Sequence, residues 1–233
     1  AERYLALSDT FLLTAQASIN QNVFPDSVTN YGGIEDDNSR GEPSGWPIIE
    51  GRVAMTLGER SCPGALPMTV GFSSHVGETE FDIIHGSTLI LNNVKNNTWS
   101  LNADIRIPLT DRLGFQGEFF IGENLSPFLG GIGQGINTIT LDGIHSVGGW
   151  WELWYDWTPR LHSHFGYSID DPDNSDLTAA SSRTYNQFYY GNLSFDVTKQ
   201  FLIGLEVSSW KTLYLGLEPG DSVRCEFVAK YGF

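Results

Sequence analysis

The chain ends on Val223-Arg224-Cys225-Glu226-Phe227-Val228-Ala229-Lys230-Tyr231-Gly232-Phe233, and this stretch decides the fold. Side chains of an extended strand point alternately to opposite faces. Val223, Cys225, Phe227, Ala229, Tyr231 and Phe233 therefore share one face, and Arg224, Glu226, Val228, Lys230 and Gly232 share the other. One face is apolar and the other is charged.

Working back along the chain, the same division recurs in about ten segments of roughly ten to twelve residues. Trp99, Leu101, Ala103, Ile105 and Ile107 oppose Ser100, Asn102, Asp104 and Arg106. Phe11, Leu13, Ala15, Ala17 and Ile19 oppose Thr14, Gln16, Ser18 and Asn20, and Trp151, Leu153, Tyr155 and Trp157 oppose Glu152, Trp154 and Asp156. Further segments run near 48–57, 68–76, 113–121, 161–169, 188–197 and 201–209. The connections alternate between short and long, as in an up-and-down meander. Leu7-Ser8-Asp9-Thr10-Phe11, Leu109-Thr110-Asp111-Arg112-Leu113, Trp157-Thr158-Pro159-Arg160-Leu161 and Val197-Thr198-Lys199-Gln200-Phe201 share a hydrophobe, a hydroxyl, two turn residues and a hydrophobe. These read as periplasmic turns. The stretches near 21–45, 78–97, 122–147 and 170–185 read as outer loops, being rich in Gly, Asp, Asn and Ser.

Alternation alone also fits a soluble β-sandwich, so the polar face has to decide. Here it carries Gly, Ser, Asn, His and charges of both signs rather than the Lys, Thr and Glu of a water-washed sheet. Strands of ten residues, tilted, cross a bilayer, and backbone groups in hydrocarbon must all pair within a closed sheet. Trp46, Trp99, Trp151, Tyr155, Trp157, Tyr189, Tyr214, Tyr231 and Phe233 lie near segment ends, where interfacial girdles form. The expected fold is all-β: a single domain over 1–233, a transmembrane antiparallel up-and-down β-barrel with about ten strands in this chain.

Composition narrows the function classes. The 233 residues hold 13 Lys plus Arg against 28 Asp plus Glu, a net charge of −15, which argues against nucleic acid as a partner. Twenty-six glycines and 13% aromatics suit strands and turns. No run of about 18 apolar residues occurs, so no transmembrane helix is expected. Cys62 and Cys225 have no zinc-site or disulfide spacing and read as unpaired.

Three stretches also carry a resemblance: Gly117-Glu118-Phe119-Phe120-Ile121-Gly122-Glu123-Asn124-Leu125, Phe128-Leu129-Gly130-Gly131-Ile132-Gly133-Gln134-Gly135-Ile136 and Gly148-Gly149-Trp150. With the Tyr-Gly-Phe end, they resemble porin-like outer-membrane proteins of planctomycete type, distantly akin to larger trimeric diffusion porins. The resemblance covers the chain from about Trp46 onward. It implies an outer-membrane porin for small hydrophilic solutes, membrane lipid around it, and a homotrimer as its assembly. Family members are longer, so the expectation is the C-terminal portion of a larger porin. The aromatic end, Tyr231 and Phe233, resembles the sorting signal read by the barrel-assembly machinery of the bacterial outer membrane.

The candidate lumen set is Glu50, Arg52, Asp104, Arg106, Glu118, Glu152, Asp156, Arg160, His162, His164, Asp170, Asp196, Glu206, Arg224, Glu226 and Lys230. Its acidic excess favours cations. The competing reading is mutual neutralisation across strands. Phe128, Gly130, Gly131, Gly133, Gln134 and Gly135 are candidates for a loop folded inward as a constriction, against an ordinary outer loop; no strand-to-helix context supports a phosphate cradle there. His162 and His164 share a face but lack a third ligand at defined spacing, so no metal and no cofactor is expected. A membrane-embedded hydrolase built on these histidines is the enzyme alternative, without a nucleophile elbow to mark it. A structural or surface-binding barrel without conductance, and a soluble β-sandwich binder, remain the non-enzyme alternatives. Glu35-Asp36-Asp37-Asn38 and Asp170-Asp171-Pro172-Asp173-Asn174-Ser175-Asp176 are acidic loops without EF-hand spacing.

Overall fold

The computed structural model describes residues 1–20, 46–58, 67–85, 88–137 and 139–232, with the backbone alone for those within 81–93. The acidic run at 35–38, Cys62 and Phe233 lie outside them. Eleven strands form one antiparallel sheet in chain order, each bonded to the next. They are β1 (Glu2–Ser8), β2 (Phe11–Asn20), β3 (Ile48–Leu57), β4 (Met68–His85), β5 (Thr88–Pro108), β6 (Leu113–Glu123), β7 (His145–Thr158), β8 (Leu161–Pro172), β9 (Arg183–Asp196), β10 (Phe201–Tyr214) and β11 (Gly220–Tyr231).

Eleven strands replace the expected ten because β1 is real and carries little alternation. Tyr4, Leu5, Ala6 and Leu7 put apolar groups on both faces, yet the segment pairs with β2 from Glu2↔Gln16 to Ser8↔Phe11. A second correction concerns 78–97, expected as a loop. Here β4 and β5 continue as a long hairpin, with Glu80 opposite Lys95. Lys95 Nζ holds Glu78 at 2.9 Å and Glu80 at 3.3 Å, so cross-strand ion pairing supports the ladder here.

The hydroxyl shared by the short connections has a structural reason. Thr110, Thr158 and Thr198 each accept hydrogen bonds through Oγ1 from the amides two and three residues on, at 2.9 to 3.2 Å. Each closes its own turn. Ser8 Oγ accepts from the Thr10 amide in the same way at 3.3 Å.

Burial is inverted relative to a soluble domain. Among the described residues the buried apolar ones are few, Ile48, Ala54, Leu125, Ile144, Trp154 and Leu177, whereas Phe72, Leu101, Phe119, Leu205, Val207 and Phe227 are all more than half exposed. A sandwich would bury those side chains between its sheets. Instead they form an outward apolar belt, too extensive to face water. Near the end of β7, Trp157 Nε1 donates to Ser163 Oγ at 3.0 Å; elsewhere on this face Trp99 Nε1 donates to Glu123 Oε2 at 3.0 Å, and Tyr167 packs on Tyr189 at 4.5 Å. Such amphipathic rings suit a membrane interface.

The sheet is curled but not closed. Phe128 stacks on His75 of β4, and Gln134, six residues later, bonds Arg183 of β9. Five strand spacings of about 4.8 Å would separate β4 from β9 by about 24 Å in a flat sheet. The segment between those contacts holds two 3-10 turns, Ser126–Phe128 and Gly131–Gly133, at a rise of only about 2 Å per residue. Curvature brings the two strands within its reach. β1 and β11 do not pair with each other, and both are exposed along their whole length.

Candidate functional site: the polar face and its inward loop

Opposite the apolar belt lies a face whose polar groups are tied to one another across strands. Arg52 on β3 donates to Asp104 on β5 through Nε at 3.0 Å and Nη2 at 2.7 Å, passing over β4 at Gly71. A Cβ at Gly71 would sit 2.5 Å from both groups, so this forked pair needs a glycine beneath it. Ser18 and Asn20 donate to Glu50 at 2.8 and 2.7 Å.

Further round, Arg106 Nη1 donates to Gln116 at 2.9 Å, and Gln116 donates to Glu152 at 2.9 Å. Glu152 also takes His164 Nδ1 at 2.9 Å and a short bond from the Tyr190 hydroxyl. Arg106 lies over the Trp154 ring at 4.7 Å, a cation–π contact within the same row. His162 sits between Asp156 at 2.6 Å and Asp196 at 3.3 Å. Asn192 donates to Glu206 at 3.3 Å, and Arg224 and Glu226 stand 3.2 Å apart on the edge strand.

Strand register thus sets Glu50, Arg52, Asp104, Arg106, Glu118, Glu152, Asp156, His162, His164, Asp196, Glu206, Arg224, Glu226 and Lys230 on this one face. Arg160 differs: it lies exposed in the turn between β7 and β8. Pro159 before it cannot donate to a ladder, so the strand stops short of it. His162 and His164 are held by different carboxylates, and no hydroxyl is bonded to either among the described residues. No group of three His, Cys, Asp or Glu side chains fit to hold a metal occurs among those residues.

The connection from Asn124 to Ile144 folds over this face. At its root, Asn124 is buried, donates to Thr79 Oγ1 at 2.8 Å and accepts through its carbonyl from Thr98 at 2.9 Å. Phe128 then stacks on His75 with ring centroids 4.0 Å apart, while His75 is fixed by Thr98 at 2.9 Å and Ser100 at 2.7 Å. Gly131, Ile132 and Gly133 follow with φ of 64°, 52° and 67°. Left-handed backbone costs a β-branched residue such as Ile about 1–2 kcal/mol. The Asp170 carboxylate on β8 offsets that cost by accepting the Ile132 amide at 2.8 Å and the Ser146 hydroxyl at 2.8 Å.

Beyond it, the Gln134 amide pairs with the Arg183 backbone both ways, donating to the carbonyl at 2.8 Å and accepting from the N–H at 2.8 Å. Asn137 donates to the Asp176 carbonyl at 2.6 Å, and Asp176 also holds His145 at 2.9 Å. In the acidic run 170–176, Asp173 caps the short turn Asn174–Asp176 through the Ser175 amide at 2.9 Å. Asp170, Asp173 and Asp176 are thus committed to holding loops.

Between the loop and the strands is a cavity of about 800 Å³, lined by Glu50, Arg52, His75, Asn102, Glu118, Phe120, Phe128 and Trp150 among others. Sequence reading placed the strand charges but missed His75, Asn124, Phe120 and Trp150. Alternation puts His75, Phe120 and Trp150 on the polar face, and Phe120, Asn124 and Trp150 fall within the stretches quoted above, but neither signal gives them a role. Their partners lie on other strands or in the loop.

No protein-family model matches the sequence, and no curated protein does. Among solved structures, the outer membrane channel DcaP of Acinetobacter baumannii is similar over 100% of this chain, at a TM-score of 0.69 and 13% identity. The chain spans 61% of the length of that protein. The CymD monoaromatic hydrocarbon channel overlaps at a TM-score of 0.45 and 10% identity, over 99% of this chain and 72% of its own. The anion-selective porin from Comamonas acidovorans overlaps at 0.41 and 7% identity, over 90% of this chain and 66% of its own. The likeness to DcaP is one of fold. The chain has the antiparallel up-and-down wall of an outer-membrane β-barrel, and its exposed apolar belt is that of a wall seated in the outer membrane.

Proposed function

We propose that this wall encloses an outer-membrane diffusion channel of porin type, through which small hydrophilic solutes pass along a polar, net acidic lumen. The observation that carries the reading is the loop 124–144, hung from the polar face of β4 at one side and of β8 and β9 at the other. A loop so anchored narrows a passage at the height of Glu118 and Arg52, which line the same cavity. Acids lead bases on this face, so its field favours cations.

On this reading, Glu50, Asp104, Glu118, Glu152, Asp156, Asp196, Glu206 and Glu226 supply the negative field. Arg52, Arg106, Arg224 and Lys230 temper it, His162 and His164 line it, and Phe128, Gly130, Gly131, Gly133, Gln134 and Gly135 shape the constriction. Two exposed edges, and coverage of 61% of the DcaP chain, fit a wall that forms the C-terminal part of a larger porin of the planctomycete-like kind. Tyr231 and Phe233 would be read by the barrel-assembly machinery, and a homotrimer is the expected assembly in lipid.

Planar-bilayer recording tests the proposal. The purified protein should give discrete conductance steps, with a reversal potential in a KCl gradient of the sign for cation preference. A silent bilayer from protein that has inserted would refute the channel and leave a barrel sealed by its own loop.

A further inference from the structure

The cavity under the loop contains one carboxylate in a setting unlike the others. Glu118 on β6 is exposed and lines the cavity, yet accepts no hydrogen bond among the described residues. The other acids on the polar face of β3 to β10, Glu50, Asp104, Glu152, Asp156, Asp170, Asp196 and Glu206, are each bonded to a side chain. Directly opposite Glu118 in the ladder stands Trp150. Two residues along the same strand face stands Phe120, whose ring lies over Gly148, where a Cβ would come within 2.4 Å of it. Trp150 is 40% exposed and Phe128, facing the same cavity from the loop, 38% exposed. An accessible carboxylate is thus bracketed by aromatic rings open to the same space.

From this geometry we infer that the cavity is a binding site for a small organic cation, an ammonium carrying an alkyl or aromatic body. The inference rests on the channel reading and names the solute class of that channel. Its physical basis is twofold. Aromatic faces attract cations through their quadrupole, most strongly Trp, and an ammonium's organic body gains by stacking where a hydrated metal ion does not. The carboxylate supplies the charge partner.

The surrounding charges point the same way. The lining guanidinium, Arg52, lies near enough to interact electrostatically with Glu118, but both arms of its fork are engaged by Asp104. Glu50, also on the lining, is bonded by the neutral donors Ser18 and Asn20, so its charge remains. A neutral sugar could stack on Trp150 but would leave that net negative charge unanswered, and an anion would be repelled.

The test uses the full protein in planar bilayers with KCl, titrated with benzylammonium and, separately, with benzyl alcohol and maltose. Benzylammonium should block the current in a saturable way and the two neutral probes should not. Relative to each variant's own KCl conductance, Glu118→Gln should raise the half-blocking concentration about tenfold and Trp150→Leu several-fold. Glu218→Gln, exposed in the connection between β10 and β11 and outside the cavity, should leave it unchanged. Equal block by benzyl alcohol, block by maltose alone, no block, or equal weakening by Glu118→Gln and Glu218→Gln would each overturn the site.

Should the bilayers stay silent, the channel reading fails separately. Quenching of tryptophan fluorescence by benzylammonium, in detergent-solubilised protein, then decides the site. Saturable quenching lost in Glu118→Gln and Trp150→Leu supports it; quenching retained in both refutes it.

Discussion

The two ends of this sheet are closed by different physics. At the short-turn end, Thr110, Thr158 and Thr198 bond amides two and three residues away, so each turn is complete as soon as its own residues meet. At the other end, the loop 124–144 is held by contacts between residues far apart in sequence: Ile132 to Asp170, 38 apart, Gln134 to Arg183, 49 apart, and Asn137 to Asp176, 39 apart. Those bonds exist only after β7, β8 and β9 have paired and the sheet has curled. The turn end sets the register of the wall; the loop end is set by it. Contacts of high sequence separation cost chain entropy before they return anything, so the loop should dock last.

The largest expected effect follows from Asp170→Ala. The carboxylate holds the Ile132 amide and the Ser146 hydroxyl, and without it three successive left-handed residues lose their anchor. Loss of a charged acceptor from such a site costs about 1–3 kcal/mol. That cost falls on the loop and not on the wall. Unit conductance and open-channel noise should rise, and protease should cut within 124–144, while the urea midpoint of the barrel holds. A loop that stays resistant at unchanged conductance would show that other contacts suffice to hold it.

Gln134→Ala should do the same on a smaller scale. Two neutral bonds to the Arg183 backbone are lost, about 1 kcal/mol each at most, and both backbone groups stand at a strand end where water can replace the amide. A modest rise in unit conductance is expected. Because both side chains anchor one loop, its effect in the Asp170→Ala background should be less than additive. Simple additivity would mean that the two anchors hold separate parts of the loop.

This division also explains what the sequence disclosed. Alternation within one strand was enough to find β11, β5 and β7, and to put Glu152 and Arg52 on the polar face, because a strand's period is written in consecutive residues. The hydroxyl of the short turns was visible for the same reason. β1 was missed because Tyr4, Leu5, Ala6 and Leu7 carry no polar beat, and its evidence is its pairing with β2. The β4–β5 hairpin beyond Val76 was missed because Lys95 must first be set opposite Glu80 before either reads as strand. Glu118 was picked out as a charge on the right face, but its bracketing by Trp150 comes from cross-strand register, which no single segment records. Arg160 was read both as part of a short turn and as a lumen charge; the structure places it exposed in the turn.

The smallest effect belongs to the turn end and tests the division most cleanly. Thr158→Val keeps the β-branched shape and removes only the hydroxyl that accepts the Arg160 and Leu161 amides, at 3.2 and 3.0 Å. Both amides lie at the exposed turn and can turn to water, so the loss should be about 0.5–1 kcal/mol. It should lower the urea midpoint slightly and slow folding into vesicles, since it weakens a contact that forms before the sheet curls. Unit conductance should not move, because nothing in this turn touches the loop or the cavity. A shift in conductance from Thr158→Val would mean that the turn end reaches the passage through the wall, and the two ends could no longer be treated as independent.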